Sequence, residues 1–132
     1  QALIELSEKA AELSGIDSRE VLDALIQRER LGSTGIGGGI AIPHGKLAKC
    51  TRIFGVFARL EKPIDFEALD DAPVDLIFLL VAPENAGADH LNALSRAARV
   101  LRNQSLVTTL RSTRDPSALY SILVRSPTPN AA

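Results

Sequence analysis

The apolar run from Val74 to Val81 constrains the fold of this chain more than any other feature. Only Asp75 interrupts it with a charge, and a short run of this composition predicts a strand that is covered on both faces. A second strand is predicted over Ile53 to Leu60. We expect these two strands to form the centre of a sheet, which then needs a packed layer on each side.

Apolar residues at helical spacing predict those layers. The inward-facing sets are Leu3, Leu6, Ala10 and Leu13; Val21, Leu22, Leu25 and Ile26; Leu91, Leu94, Ala98 and Leu101; and Leu119, Ile122 and Leu123. Asp17 or Ser18 is predicted to cap the second helix. Ser105 to Leu110 is predicted to form a short helix, and Asp115-Pro116 is predicted to start the last one. The alternation of helices and strands predicts an α/β fold, a single-domain sandwich in which a mixed β-sheet is flanked by helices on both faces.

The length and composition predict one domain. A chain of 132 residues with 45% hydrophobic content is long enough for one core and too short for two ordinary domains. We expect the domain to occupy residues 1–125 and a flexible tail, rich in Pro, Ser and Asn, to occupy residues 126–132. Because Gln1 already lies inside a helical pattern, we expect the domain to be truncated at its N-terminus.

The charge and cysteine content narrow the range of partners and compartments. Fifteen basic and sixteen acidic residues give a net charge of −1, which provides no large field for binding nucleic acid or a membrane surface. No stretch approaches the roughly 20 apolar residues needed to span a bilayer. Cys50 is the sole cysteine, so no internal disulfide can form and a reducing compartment is the simpler expectation. We expect a cytoplasmic protein whose partners are proteins or small groups.

The glycine-rich segment from Gly37 to Gly45 contains His44, one of only two histidines. Pro43 is expected to end a short apolar strand and set the direction of His44, while Gly45 would let the chain turn sharply and a partner group come close. An imidazole with a pKa of about 6.5 can act as a neutral nucleophile near pH 7. A histidine after a strand is also often a structural or surface residue, and the local pattern leaves both roles open.

Other motifs that bind phosphates, dinucleotides or metals are absent from the sequence. Gly45-Lys46 is followed by Leu47 instead of the Ser or Thr of a phosphate-binding P-loop. Gly35 and Gly37 are followed by Ile40 where a dinucleotide fingerprint needs a third glycine. Two histidines and one cysteine show none of the familiar zinc spacings. We predict no cofactor and no metal.

The segment from Arg28 to Gly45 resembles the phosphorylation-site signature of the enzyme IIA components of the fructose, mannitol and nitrogen-related class of phosphotransferase systems. The resemblance continues through Phe57–Leu60, Pro63–Phe66, Asp70-Asp71, Pro73–Leu80, Ala82-Pro83 and His90-Leu91, and so covers nearly all of the chain. The stretches Gly32–Gly37 and Ile40–Lys46 resemble the nitrogen-related branch in particular.

The resemblance implies roles for three residues. His44 would accept a phosphoryl group on Nε2 from the phosphohistidine of a small HPr-like carrier, His90 would help hold that group, and Arg28 would stabilise its charge. The chemistry is consistent, because phosphoryl transfer depends mainly on positioning and on cationic or N–H donors, and His90 falls in a predicted first helical turn. From the residues alone, Arg28 could equally be a solvated charge on a helix. Ser33 and Thr34 could donate hydroxyls or form a turn.

Three functions follow from the resemblance. In the first, the phosphorylation state of His44 regulates target proteins, as the nitrogen-related pattern favours. In the second, the domain passes the phosphoryl group to a IIB domain during sugar uptake. In the third, it is a non-catalytic binding domain of the same fold. Ile36, Ile40 and Leu47 are candidate docking residues for the carrier, or alternatively core residues.

Overall fold

The structure, a computed structural model, describes residues 2–65 and 72–113. The helices are α1 (Ala2–Ser14), α2 (Ser18–Leu31), α3 (Ala88–Val100) and α4 (Gln104–Ser112). The strands are β1 (Gly35–Gly37), β2 (Ile40–Ala41), β3 (His44–Leu47), β4 (Phe54–Ile64) and β5 (Val74–Pro83). The expected last helix, the tail at 126–132 and the acidic turn at 70–71 lie outside the described residues, so these remain predictions.

Strand β5 is the centre of a five-stranded mixed sheet. On one side it pairs antiparallel with β4. On the other side it pairs in parallel with β2 and then with β3, so that Ile40 lies opposite Leu76 and His44 opposite Leu80. Strand β1 pairs antiparallel with β2. Strands β2 and β3 pair with successive parts of the same edge of β5. Ile42 and Pro43, which lie between them, separate the two stretches of parallel pairing.

The sheet is covered on both faces, as the sequence predicts. Ile77 and Leu79 of β5 pack in one core with Leu25 of α2 and with α1. Leu76 of β5 packs in a second core with Leu110 of α4, against which α3 also packs. Leu76, Ile77 and Leu79 are all completely buried. The α/β fold with a mixed sheet and helices on both faces is therefore confirmed.

Two leucines that follow the helical spacing do not reach the core. Leu13 is 65% exposed in the last turn of α1, and Leu91 is 64% exposed in the first turn of α3. The predicted apolar stripes are correct at Leu6 and Ala10 of α1 and at Leu101, which follows the last turn of α3, because all three are buried. They are wrong at these terminal turns, because the neighbouring layers do not cover the full length of each stripe.

The sharp turn expected at Gly45 is also wrong. The chain continues past Pro43 as β3, and Gly45 lies within that strand opposite Val81. A Cβ atom on Gly45 would lie 3.2 Å from the Cβ of Ala24, so a glycine here lets α2 pack closely against β3. None of the helices in the described ranges is long and apolar enough to cross a membrane.

Candidate functional site

The fold brings together the three side chains that the sequence singles out. Arg28 is in the last turn of α2, His44 is the first residue of β3, and His90 is in the first turn of α3. The Nε of Arg28 lies 3.0 Å from Nε2 of His44 across a separation of sixteen positions. The ring centroids of His44 and His90 are 5.6 Å apart. These residues form one site at the carboxyl end of β5.

Two hydrogen bonds fix the tautomer of His44. The guanidinium of Arg28 is always protonated and can only donate, so Nε2 of His44 must accept with its lone pair. The carbonyl oxygen of Ile42, 2.9 Å from Nδ1, can only accept, so Nδ1 must carry the proton. The neutral Nδ1–H tautomer therefore satisfies both contacts, and it leaves Nε2 as the nucleophilic nitrogen.

Burial and charge keep His44 in that neutral form. Burial is the largest cause that lowers the pKa of His44 below its ordinary value of 6.5, and the positive charge of Arg28 lowers it further. The hydrogen bond to the Ile42 carbonyl and the negative charge of Glu29 oppose this shift without reversing it. At pH 7 the imidazole is therefore uncharged and its Nε2 lone pair is available.

His90 is a second neutral imidazole in the site, only 4% exposed. Burial is the largest cause that lowers the pKa of His90 below its ordinary value of 6.5, and the nearby His44 and Lys46 lower that pKa further. Its Nδ1 is buried without a hydrogen-bond partner among residues 2–65 and 72–113. The backbone N–H groups of Asp89 and His90 donate to the Ala86 and Gly87 carbonyls, so these two amides are not free for an anion. The role implied for His90 consequently falls on its imidazole.

An open cavity of about 300 Å³ lies beside His44. Its lining consists of Arg28, Ser33, Thr34, Gly35, Ile36, Ile42, His44, Leu94, Ser95 and Ala98. The Ser33 hydroxyl oxygen accepts a hydrogen bond from the Gly35 N–H at 3.0 Å, which supports a turn-forming role. The hydroxyl and the N–H of Thr34 both donate to the carboxylate of Glu29. The cavity is large enough to hold a small anionic group beside His44 and Arg28.

The structure adds two charged residues that the sequence reasoning did not select. Glu29 binds Thr34 and raises the pKa of His44, while Lys46 is exposed on β3 and lowers the pKa of His90. His44 and Lys46 occupy alternate positions of one strand and so share a face of the sheet. The alternation of His44 and Lys46 would have placed Lys46 beside the site if residues 44–47 had been recognised as a strand. No sequence pattern places Glu29 there.

The apolar residues around the site differ from those expected to dock a carrier. Ile40 is 5% exposed and belongs to the core, and Ile36 and Leu47 are partly buried against the two cores. The exposed apolar side chains near the site are Leu31, three positions after Arg28 and 84% exposed, and Leu91, which follows His90. Within the described ranges, no group of three or more His, Cys, Asp or Glu residues could hold a metal ion.

Comparison with known proteins gives a consistent set of relatives. Residues 1–126 match the sequence model of a family described as phosphoenolpyruvate-dependent sugar phosphotransferase system, EIIA 2. The chain is 60% identical over 127 residues to a nitrogen regulatory protein of Bradyrhizobium diazoefficiens, covering 96% of this chain and 83% of that protein.

Solved structures share the fold. The crystal structure of nitrogen regulatory protein IIA-Ntr from Neisseria meningitidis matches with a TM-score of 0.87 at 37% identity, covering 92% of this chain and 84% of that one. The complex of enzyme IIAMTL and phosphorylated enzyme IIBMTL from Escherichia coli contains a chain that matches with a TM-score of 0.77 at 20% identity, covering 93% of this chain and 85% of that one. At that identity the similarity is one of fold alone.

Proposed function

This chain belongs to the EIIA 2 family of the phosphoenolpyruvate-dependent sugar phosphotransferase system, and from this premise we propose that it carries a phosphoryl group on Nε2 of His44. Members of this family are phosphotransferase components. The observation that carries the proposal is the pair of contacts on the imidazole, with Nδ1 bound to the Ile42 carbonyl and Nε2 bound to the Arg28 guanidinium. This arrangement supports a nucleophile with a fixed tautomer beside a permanent cation.

The proposed donor is the phosphohistidine of an HPr-like carrier protein. The lone pair of His44 Nε2 attacks phosphorus, a new N–P bond forms as the carrier's N–P bond breaks, and the electron pair returns to the carrier's imidazole. Arg28 then donates to a phosphoryl oxygen instead of to Nε2, which places its positive charge where negative charge develops. His90, whose ring centroid lies 5.6 Å from that of His44, is proposed to support the same group. Leu31 and Leu91 are the proposed apolar contacts with the carrier.

We propose that the phosphorylation state of His44 regulates target proteins, because the relative at 60% identity is named a nitrogen regulatory protein. Phosphorylation adds roughly −1.5 to −2 charge at neutral pH. On a chain of net charge −1 this is enough to change which protein surfaces bind. The second candidate, transfer to a IIB domain during sugar uptake, is motivated by the solved complex of IIAMTL with phosphorylated IIBMTL. We place either activity in the cytoplasm, where the lone buried Cys50 would stay reduced.

The test is to incubate the chain with phosphoenolpyruvate, the first enzyme of the relay and an HPr-like carrier, and to measure its intact mass. We expect the wild type to gain one phosphoryl group and His44→Ala to gain none. His90→Ala should still be phosphorylated but should pass the group on more slowly. A phosphorylated His44→Ala protein would overturn the assignment, and unchanged onward transfer by His90→Ala would remove His90 from the site.

A further inference from the structure

Two hydrogen-bonded routes connect the last turn of α2 to the His44 imidazole. The first is direct, from Arg28 Nε to His44 Nε2. The second begins at the next residue: the Glu29 carboxylate accepts from the Thr34 N–H at 3.3 Å and from the Thr34 hydroxyl. The Thr34 carbonyl accepts from the Ile42 N–H at 3.0 Å, and the Ile42 carbonyl accepts from His44 Nδ1 at 2.9 Å. Together the routes form a closed ring around the acceptor histidine.

We infer that Glu29 is a positioning residue for His44, acting through Thr34 and Ile42 to hold the Nδ1–H tautomer. The inference rests on the proposed function, since it concerns how the acceptor nitrogen is kept available. Both main-chain polar groups of Ile42 are hydrogen-bonded, the N–H to the Thr34 carbonyl and the carbonyl to His44 Nδ1. The Pro43 carbonyl is held separately by the Leu80 N–H, so Thr34 and β5 together direct the Ile42 carbonyl toward His44.

Glu29 is well suited to hold Thr34. Thr34 is 5% exposed, so water cannot readily replace a lost partner for its two donors. One carboxylate with two oxygens satisfies both donors, and a hydrogen bond to a charged group is stronger than a neutral one. Gly32, the C-cap of α2, has a φ of +154°, so the chain has left the helix before it reaches Thr34. The Glu29 carboxylate is therefore the contact that ties Thr34 back to α2.

Glu29 also acts on His44 through its charge. Its carboxylate raises the pKa of His44, opposing burial and Arg28.

The positional and electrostatic effects of Glu29 can be separated by substitution. Glu29→Gln keeps an acceptor oxygen but loses the charge, whereas Glu29→Ala loses both. Thr34→Ser keeps the hydroxyl and serves as the matched control for Thr34→Val, which keeps the shape and loses the hydroxyl.

The decisive experiment records the nitrogen chemical shifts of the His44 imidazole by NMR across a pH titration, without any phosphoryl donor. We expect the wild type and Thr34→Ser to show the Nδ1–H tautomer. Glu29→Ala should show a partial admixture of the Nε2–H form, limited by the Arg28 contact that remains, and Thr34→Val a smaller one. Glu29→Gln should keep mostly the Nδ1–H form while His44 titrates at lower pH than in the wild type. The His90 signals report whether each variant is folded.

A wild-type tautomer pattern in folded Glu29→Ala would overturn the inference. In phosphoryl transfer from the carrier, misplacement of the acceptor nitrogen should slow the maximal rate by about 10- to 100-fold in Glu29→Ala, with carrier affinity unchanged. Glu29→Gln should recover part of that rate, and a loss confined to affinity would contradict a positioning role. If the wild type accepts no phosphoryl group, the proposed function fails, while the NMR result still decides whether Glu29 fixes the tautomer.

Discussion

At the scale of single residues, burial disfavours the charged form of both histidines. It is the largest cause that lowers the pKa of His44 and of His90 below 6.5. Between the lowered pKa of the folded chain and about 6.5 in the unfolded chain, the unfolded chain binds more protons. The free energy of unfolding therefore rises with pH in that window. The contribution of the two histidines is fully present above about pH 6.5 and is lost as the pH falls through the folded values.

We predict that removing both imidazoles flattens this acid dependence. The free energy of unfolding of the wild type should fall between about pH 7.5 and about pH 5, and that of the double variant His44→Gln, His90→Gln should fall less. The measurement is urea unfolding followed by far-ultraviolet circular dichroism. Because the chain has only two histidines, the slope left in the double variant belongs to other groups, chiefly carboxylates. Equal slopes in the two proteins would contradict the prediction.

Three residues of the candidate site are predicted from the sequence. Residues Arg28, His44 and His90 were selected through the family resemblance, which the family match confirms, and the structure brings them together. The bond between Glu29 and Thr34 was missed because it joins a helix to a loop five positions later, and no periodic pattern marks such a contact. The tautomer of His44 depends on where the Ile42 carbonyl points, which the sequence does not encode locally.

At the scale of elements, Arg111 of α4 holds the turn between β1 and β2. Its guanidinium donates to the Gly38 carbonyl, and it binds the Asp75 carboxylate with Nη2–Oδ1 at 2.9 Å and Nε–Oδ2 at 3.0 Å. Gly38 and Gly39 both have positive φ, +66° and +80°. A Cβ atom on Gly38 would meet nothing within 4 Å, whereas one on Gly39 would lie 2.5 Å from Arg111 Nη2.

We therefore predict that Gly39→Ala destabilises the protein more than Gly38→Ala. Both variants require a left-handed residue with a side chain, which costs roughly 1–2 kcal/mol. Gly39→Ala must in addition displace the guanidinium of Arg111, and loss of its partly exposed contacts with Gly38 and Asp75 costs about 0.5–1 kcal/mol more. The two free energies of unfolding should be compared by urea denaturation. An equal loss in both variants would show that the Arg111 contact does not hold the turn.

The elements divide into those that local pattern predicts and those that it does not. Helices α1 to α4 follow apolar spacing, and α2 and α4 in addition begin at caps, Asp17 and Asn103, whose side chains accept from backbone N–H groups. Strand β3 is not predicted from the sequence because Pro43 and Gly45 are typical of a turn. In the structure, parallel pairing with β5 keeps residues 44–47 extended. The exposed Leu13 and Leu91 fit the helical period equally well, so periodicity alone could not exclude them from the core.

At the scale of the whole molecule, β5 belongs to both cores. Its alternate side chains pack with Leu25 of α2 on one face and with Leu110 of α4 on the other. Leu25 is 1% exposed and Leu110 is completely buried. Neither layer can lose its packing without uncovering one face of the same strand, so we expect the two cores to unfold together. The candidate site, built from α2, β3 and α3, then has the stability of the entire sheet.

We predict that Leu25→Ala and Leu110→Ala each reduce the free energy of unfolding by about 2–5 kcal/mol in one cooperative transition. The measurement is urea unfolding followed by circular dichroism and, in parallel, by NMR signals from α2 and from α4. In each variant, the signals of both helices should disappear at the same urea concentration. The exposed Leu13 is the matched control, because Leu13→Ala should cost far less. Separate transitions for the two helices would mean that β5 does not couple the layers, and that the site could lose His90 on α3 while keeping Arg28 on α2.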